Sequence, residues 1–139
     1  MPIQPRAIVL VDDEKSYVDL LSQMLGENLD CPVHSFTRPL DALAQVGTLA
    51  PAVIVTDFDM PQLNGIEFIR QASVVAPSAV FILITGRNLG LADIEMGKLP
   101  TLKAFIPKPF RWRQLADEVI RVWPGSDTPS FRTEAETSA

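Results

Sequence analysis

Acidic residues stand at two points of the sequence where a short apolar run ends. Asp12 and Asp13 directly follow the run 7–11, and Asp57 follows the run 52–56. If such carboxylates converge, their repulsion must be relieved by protonation or by a cation, and a hard divalent ion such as Mg²⁺ suits oxygen ligands. A carboxylate can also act as a nucleophile and form an acyl phosphate. These residue types therefore indicate phosphoryl transfer assisted by Mg²⁺, with Asp57 as the acceptor.

Two further polar residues follow other apolar runs of the chain. Thr85 follows the run 79–84, and Lys108 comes soon after the run 103–106. Phosphoryl transfer depends on positioning and charge neutralisation, for which a lysine offers a compact positive charge and a threonine a hydroxyl donor. Seen singly, Thr85 would indicate a turn and Lys108 a solvated surface charge. Their shared order with the acidic residues favours a single site.

The elements that must position these residues are short strands separated by helices. The apolar runs are rich in Val and Ile and do not alternate with polar residues, which is typical of strands buried on both faces of a parallel sheet. Segments with helical spacing lie between them, and the last helix has a continuous apolar stripe up to Trp123. The predicted strands are residues 7–11, 33–36, 52–56, 79–84 and 103–106.

Two of the predicted helices have ends that the sequence marks. The second covers about residues 39–46, since proline is well tolerated at the start of a helix and Gly47 follows where the helix should stop. The fourth covers about residues 91–98 and is closed by Pro100.

Strict alternation of strands and helices predicts one α/β domain over residues 1–123 with an open, doubly wound sheet. One known strand order for such sheets is the flavodoxin-like order 2-1-3-4-5, and we expect it here. The fifth strand is then an edge, which suits Pro107 because proline cannot donate a hydrogen bond to a neighbouring strand. Ligands of such sheets bind at the carboxyl ends of the strands, where the strand order reverses. Asp12, Asp13 and Asp57 are expected to meet there.

The composition excludes several classes of protein. A chain of 139 residues fits one domain, and no apolar run approaches the ~20 residues of a membrane helix. The first residues lack the apolar core of a secretory signal, and the lone Cys31 has no partner for a disulfide, so a cytoplasmic location is expected. A net charge of -5 disfavours nucleic-acid binding and favours protein partners. The polar segment 124–139 is predicted to be a flexible tail or linker.

The combined motifs resemble the signature of bacterial response-regulator receiver domains, including the chemotaxis receivers of two-component signalling. The similarity covers about residues 6–123, and its five key positions occur in the right order. The motifs are Asp12-Asp13, the run Val55-Thr56-Asp57-Phe58-Asp59-Met60-Pro61 with Asn64-Gly65 behind it, Thr85, and Phe105-Ile106-Pro107-Lys108-Pro109.

The resemblance implies a phosphoacceptor and its metal ligands. Asp57 would take a phosphoryl group from a phosphohistidine on a sensor histidine kinase or a phosphotransfer protein. Asp13, Asp57 and the backbone carbonyl of Asp59 would hold Mg²⁺, with Asp12 assisting partly through water. The peptide bond from Lys108 to the following proline is expected to be cis. Such a domain would catalyse only its own phosphorylation and dephosphorylation.

The resemblance also implies a conformational switch. Phe105 matches an aromatic residue that turns inward when Thr85 moves toward the phosphoryl group. The face from the fourth to the fifth predicted helix would then change, to be recognised by a downstream protein or by a second copy in a homodimer. Asp59 and Arg87 lie two positions beyond Asp57 and Thr85, and we expect them to pair and to slow spontaneous dephosphorylation.

Two other functions stay open at this point. A haloacid-dehalogenase-type phosphatase also uses an aspartate nucleophile with Mg²⁺, although its second acidic pair follows the lysine, whereas Asp12 and Asp13 precede Lys108 here. A receiver-like binding module that ignores phosphorylation is the other alternative. His34 lies in a predicted strand, and structural roles are favoured for both His34 and Cys31.

Overall fold

The strand ends that carry the polar residues belong to one parallel sheet. The computed structural model describes residues 5–86 and 99–132. Its five strands have the order β2-β1-β3-β4-β5, which confirms the predicted doubly wound topology. The strands are β1 (Ile8–Val11), β2 (Val33–Phe36), β3 (Val53–Asp57), β4 (Val80–Thr85) and β5 (Leu102–Pro107), and the helices of the described residues are α1 (Lys15–Asn28), α2 (Pro39–Leu49), α3 (Gly65–Val75) and α4 (Trp112–Val122).

Both faces of the sheet are covered by apolar side chains. Because successive residues of a strand point to opposite faces, Ile8 and Leu10 of β1 join one core with α1 and α4. Val9 and Val11 join a second core with α2 and α3. Every residue of β1, β3 and β4 is buried. This two-sided burial explains why these strands read as continuous apolar runs.

The two edge strands differ from the central ones. β2 is only partly buried along its length, and β5 alternates between buried and exposed positions, with Lys103 and Pro107 exposed. Pro107 is the last residue of β5, at the edge of the sheet, as the sequence predicts.

One predicted helix end is wrong. α2 continues through Gly47 to Leu49, and Ala50 caps it in the left-handed conformation, with φ of 47° and its N–H donated to the Val46 carbonyl. A side chain added at Gly47 would begin 3.4 Å from the Val75 carbonyl oxygen of α3. The glycine therefore lies in the contact between α2 and α3.

The helix predicted over residues 91–98 lies outside the described residues. Among the helices of residues 5–86 and 99–132, none is long and apolar enough to cross a membrane.

The segment after α4 folds back onto the domain, and we call residues 124–132 the C-terminal strap. Asp127 accepts hydrogen bonds from the backbone N–H of Arg6 at 2.9 Å, from its Nε at 3.1 Å and from Nε1 of Trp123 at 2.8 Å. This carboxylate thus joins the start of the chain to the end of α4. Such contacts explain why a composition rich in Pro, Gly and Ser need not mean flexibility.

The far end of the C-terminal strap packs beside α1. Phe131 forms an antiparallel bridge with Leu29 and packs against the core under α1 and α4. The Arg113 guanidinium lies 3.9 Å from the centroid of the Phe131 ring. The flexible tail predicted from residue 124 therefore does not describe residues 124–132. Residues 133–139 lie outside the described part of the chain, where it stays a prediction.

Candidate functional site

Three carboxylates meet at the carboxyl end of the sheet. β1 and β3 are neighbours in register, with Val11 opposite Thr56, so the residues that follow stand side by side. Asp12, Asp13 and Asp57 each offer one oxygen atom, and these atoms all lie within 4.8 Å of one another. Asp12 and Asp57 are buried, whereas Asp13 is exposed. The predicted convergence of these residues is confirmed.

Lys108 follows the edge strand β5 and reaches the same cluster. Its Nζ lies 3.3 Å from Oδ2 of Asp12 and 3.4 Å from Oδ1 of Asp57. The backbone N–H of Lys108 donates to the Thr85 carbonyl at 2.9 Å, which fixes the loop after β5 to the end of β4. The bond between Lys108 and Pro109 is cis, as expected. The cluster therefore holds acidic groups from two strands and one ammonium from a third.

The electrostatics of the cluster leave its negative charge incompletely balanced. Burial raises the pKa of Asp57 to about 6, the charge of Asp12 adds to this effect, and Lys108 opposes it. Burial likewise raises the pKa of Asp12, against a hydrogen bond from the backbone of Glu14 and the charge of Lys108. Burial disfavours the charge of Lys108, but the two carboxylates outweigh it and raise its pKa.

The donor set fits a hard divalent cation. All three groups are carboxylates, the ligand type that Mg²⁺ prefers, and one of them is open to solvent. A bound cation would relieve the repulsion among the three carboxylates, which Lys108 alone does not cancel. Mg²⁺ commonly binds through one or two carboxylates and keeps several waters, which suits a partly open site.

The loop after Asp57 is tightly built. A Cβ at Gly65 would lie 2.6 Å from the Asp57 carbonyl oxygen, so only glycine lets α3 begin this close to the acceptor. The Gly65 N–H donates to the Phe58 carbonyl at 2.8 Å. Asn64 caps the helix by accepting from the Glu67 N–H at 2.9 Å, while the Glu67 side chain accepts from the Asn64 N–H at 3.0 Å. The Asn-Gly pair therefore fixes the start of α3 beside the site.

Thr85 and Phe105 occupy related positions on neighbouring strands. Thr85 is buried at the end of β4 and pairs with Pro107 of β5, while Phe105 pairs with Leu83. Since Phe105 is two residues before Pro107, its side chain points to the same face of the sheet as that of Thr85. Phe105 is half-buried and packs against the core under α2 and α3. Their proposed switch role stays a prediction.

The remaining predicted residues give a mixed picture. Asp59 is exposed two residues after Asp57, but Arg87 lies outside the described residues, so their pairing stays a prediction. His34 is half-buried in the edge strand β2. Cys31 is buried, and burial raises the pKa of its thiol to about 12, which disfavours the reactive thiolate.

Two aromatic residues beside the site were not predicted from the sequence. Nζ of Lys108 lies 5.0 Å from the centroid of the Tyr17 ring, and the rings of Tyr17 and Phe110 meet edge to face at 6.1 Å. One signal was present. Tyr17 follows Asp13 by about one helical turn, and Phe110 follows Lys108 by two residues, so both begin near the strand ends.

Comparison with known proteins assigns the chain to a family. The family model described as the response regulator receiver domain matches residues 8–120. The chain belongs to this family. Its receiver domain includes the three carboxylates, Thr85 and Lys108 within the matched range. The resemblance drawn from the motifs is thus confirmed.

Several relatives of this receiver domain are larger proteins. The transcriptional regulatory protein FlgR of Helicobacter pylori is 32% identical over 117 residues, which cover 82% of this chain and 29% of FlgR. A protein-glutamate methylesterase/protein-glutamine glutaminase of Vibrio vulnificus is 26% identical over 128 residues, covering 83% of this chain and 36% of the relative. This chain therefore spans about a third of the length of either relative.

A solved structure supports the fold. The CheY-like receiver domain protein of Methanospirillum hungatei is similar with a TM-score of 0.73 and 23% identity, covering 83% of this chain and 90% of that one. Nothing in these comparisons supports the phosphatase alternative.

Proposed function

We propose that this receiver domain accepts a phosphoryl group on Asp57 from a phosphohistidine of a sensor histidine kinase or phosphotransfer protein, with Mg²⁺ as cofactor, in the cytoplasm. The observation that carries the proposal is the meeting of Asp57 with two other carboxylates and the Lys108 ammonium at one edge of the sheet. Phosphoryl transfer needs this combination of a positioned nucleophile and charge neutralisation.

The proposed step uses the ionised carboxylate of Asp57. One of its oxygens attacks phosphorus and forms an O–P bond, while the bond from phosphorus to the imidazole nitrogen breaks and its electron pair stays on nitrogen. Lys108 already contacts Asp57 and is placed to pair with phosphoryl oxygens. Bound Mg²⁺, held by Asp13, Asp57 and the Asp59 carbonyl with Asp12 assisting, would neutralise carboxylate and phosphoryl charge.

The phosphorylated domain is proposed to act on a protein partner. The added group brings about -1.5 to -2 charges and three acceptor oxygens. Thr85 would move toward these oxygens, and Phe105, which points to the same sheet face, would turn into the space that Thr85 leaves. The altered face includes β5 and α4, and the part formed by residues 91–98 lies outside the described residues.

Intact-mass spectrometry after incubation with acetyl phosphate and Mg²⁺ tests the acceptor. We expect the wild type to gain the mass of one phosphoryl group and Asp57→Asn to gain none. Asp117→Asn is the matched control, because it removes a carboxylate of α4 whose side chain is 62% exposed. This variant should gain the phosphoryl mass as the wild type does. Excess EDTA should abolish the gain in wild type.

Two results would overturn the proposal. If the wild type gains no mass with acetyl phosphate, phosphoramidate or a phosphorylated sensor kinase, the chain is a binding module that ignores phosphorylation. Repeated turnover of a generic phosphate ester would instead indicate a phosphatase.

A further inference from the structure

The ammonium of Lys108 is loosely held by the two carboxylates alone. Its distances of 3.3 Å to Asp12 and 3.4 Å to Asp57 exceed the roughly 2.7–2.9 Å of strong charge-assisted hydrogen bonds. Lysine also has a flexible four-carbon stem and three N–H donors that can point in many directions. A further contact would add to the forces that keep Nζ between Asp12 and Asp57.

Tyr17 supplies such a contact. Its ring centroid lies 5.0 Å from Nζ of Lys108, within the ~6 Å over which an aromatic ring attracts a cation. The ring is held in turn by Phe110, with an interplanar angle of 78° and centroids 6.1 Å apart. Both rings pack against the core under α1 and α4. The lysine thus touches a side chain whose own position is set by packing.

The two rings also border the open side of the site. Glu14, Tyr17, Lys108, Pro109 and Phe110 line a cavity of about 180 Å³. Lys108 is shared between this cavity and the acidic cluster, and its side chain is 25% exposed. Without the Tyr17 ring, the cavity would widen on the side of the lysine, and the ammonium could turn toward solvent.

We propose that Tyr17 is a positioning residue whose ring holds Lys108 Nζ between Asp12 and Asp57, ready to meet the phosphoryl group. The inference rests on the proposed function, since it assigns Tyr17 a part in the phosphorylation of Asp57. The π face of the ring does this work and the hydroxyl does not, because a cation is attracted by the ring quadrupole.

Three variants at position 17 separate the effect of the aromatic ring from the effects of the hydroxyl and of apolar packing. Tyr17→Phe keeps the ring, Tyr17→Leu keeps an apolar side chain without a ring, and Tyr17→Ala removes both. With acetyl phosphate and saturating Mg²⁺, we expect Tyr17→Phe to be phosphorylated at the wild-type rate. Tyr17→Leu and Tyr17→Ala should be slower by roughly two- to fivefold, the range of an exposed cation–π contact.

Phe131→Ala is the control for lost aromatic packing. Phe131 packs against the same core as Tyr17 but contacts Arg113 instead of Lys108. Its removal should lower the melting temperature and leave the phosphorylation rate unchanged. If Phe131→Ala slows phosphorylation as much as Tyr17→Leu does, the effect of Tyr17 is general packing and the proposal fails.

A second readout does not depend on phosphorylation. In the metal-free protein, the ε-methylene protons of Lys108 should show an upfield ring-current shift in NMR spectra of wild type and Tyr17→Phe, and this shift should disappear in Tyr17→Leu. A wild type without the shift overturns the proposal. If wild type is phosphorylated and Tyr17→Leu matches its rate, the positioning role alone fails. If wild type is never phosphorylated, the proposed function fails, and the positioning role falls with it.

Discussion

Asp57 shows how its surroundings set the chemistry of one carboxylate. Burial and the charge of Asp12 raise its pKa, although Lys108 lies 3.4 Å away. The carboxylate is consequently unstable as a bare anion and gains from any cation that the cluster binds. The feature that makes the site attractive to Mg²⁺ thus makes the metal-free protein less stable at neutral pH.

The free energy of unfolding of the metal-free protein should decrease as the pH rises from about 4 to about 6. The pKa of Asp57 is raised from 3.8 to about 6, so in this window the folded state holds a proton that the unfolded state has lost. Stability then decreases as the pH rises through the window. Thermal unfolding in EDTA at pH 4.5 and pH 7 measures this slope. Asp57→Asn should flatten it, and Asp117→Asn should not.

Mg²⁺ should remove most of this loss. Because the cation binds the folded cluster and relieves its repulsion, the melting temperature at pH 7 should rise with Mg²⁺ concentration in wild type. The rise should be much smaller in Asp13→Asn and Asp57→Asn. An equal rise in wild type and both variants would show that Mg²⁺ acts elsewhere on the protein.

At the scale of elements, the partly buried carboxylate of Asp127 is one of the anchors of the C-terminal strap. Hydrogen bonds from Arg6 and Trp123 hold the pKa of Asp127 well below its usual range, and its side chain is only 11% exposed. A carboxylate with a lowered pKa contributes stability above its unfolded pKa, near 4, and this contribution is lost as the pH falls further. The strap should therefore loosen in acid.

Asp127→Asn should destabilise the domain by about 1.5–3 kcal/mol at pH 7, the usual range for hydrogen bonds to a charged group. Urea unfolding measures the difference from wild type. The difference should shrink at pH 3, because the carboxylate is then largely protonated in the unfolded chain but still ionised in the folded protein, so that folding must release a proton. Ser126→Ala, an exposed neighbour in the strap, is the matched control and should behave as wild type at both pH values. A deficit that is equal at both pH values would mean that the charge of Asp127 is not involved.

The elements also show what a sequence can and cannot predict. Val53, Ile54 and Val55 form a continuous apolar run because both faces of β3 are buried, as they are in β1 and β4. Such runs made these strands predictable. Gly47 misled the prediction, because a glycine within the last turn of a helix resembles one that ends it, and here the left-handed cap is Ala50. The strap was missed because its anchors, Asp127 and Phe131, are single residues in a polar segment, and their partners Arg6 and Leu29 lie far away in sequence.

For the whole molecule, topology does most of the positioning. Asp12, Asp57, Thr85 and Lys108 lie at the ends of four parallel strands, so the strand order alone brings them to one edge. This is why the acidic cluster and its lysine could be predicted from the sequence. The contact between Tyr17 and Lys108 could not, because an aromatic residue at helical spacing is equally typical of the core.

The same topology connects the site to the edge strand β5. The backbone of Thr85 binds the N–H of Lys108, and Thr85 shares a sheet face with Phe105. In the proposed switch, the phosphoryl group changes the side-chain position of Phe105 by drawing Thr85 toward itself. A mutation should therefore be able to leave the phosphorylation of Asp57 intact and abolish the structural change that follows in β5.

Thr85→Ala should still accept a phosphoryl group on Asp57 but fail to pass the change to β5. After phosphorylation of wild type, amide NMR signals should shift near Asp57 and also along β5 around Phe105. In Thr85→Ala the shifts near Asp57 should remain and those along β5 should be largely lost, because the hydroxyl that responds to the phosphoryl oxygens is absent. Thr128→Ala, an exposed threonine in the strap, is the control and should respond as wild type does. If β5 shifts equally in Thr85→Ala and wild type, the change travels by another route, and Thr85 is only a buried residue at a strand end.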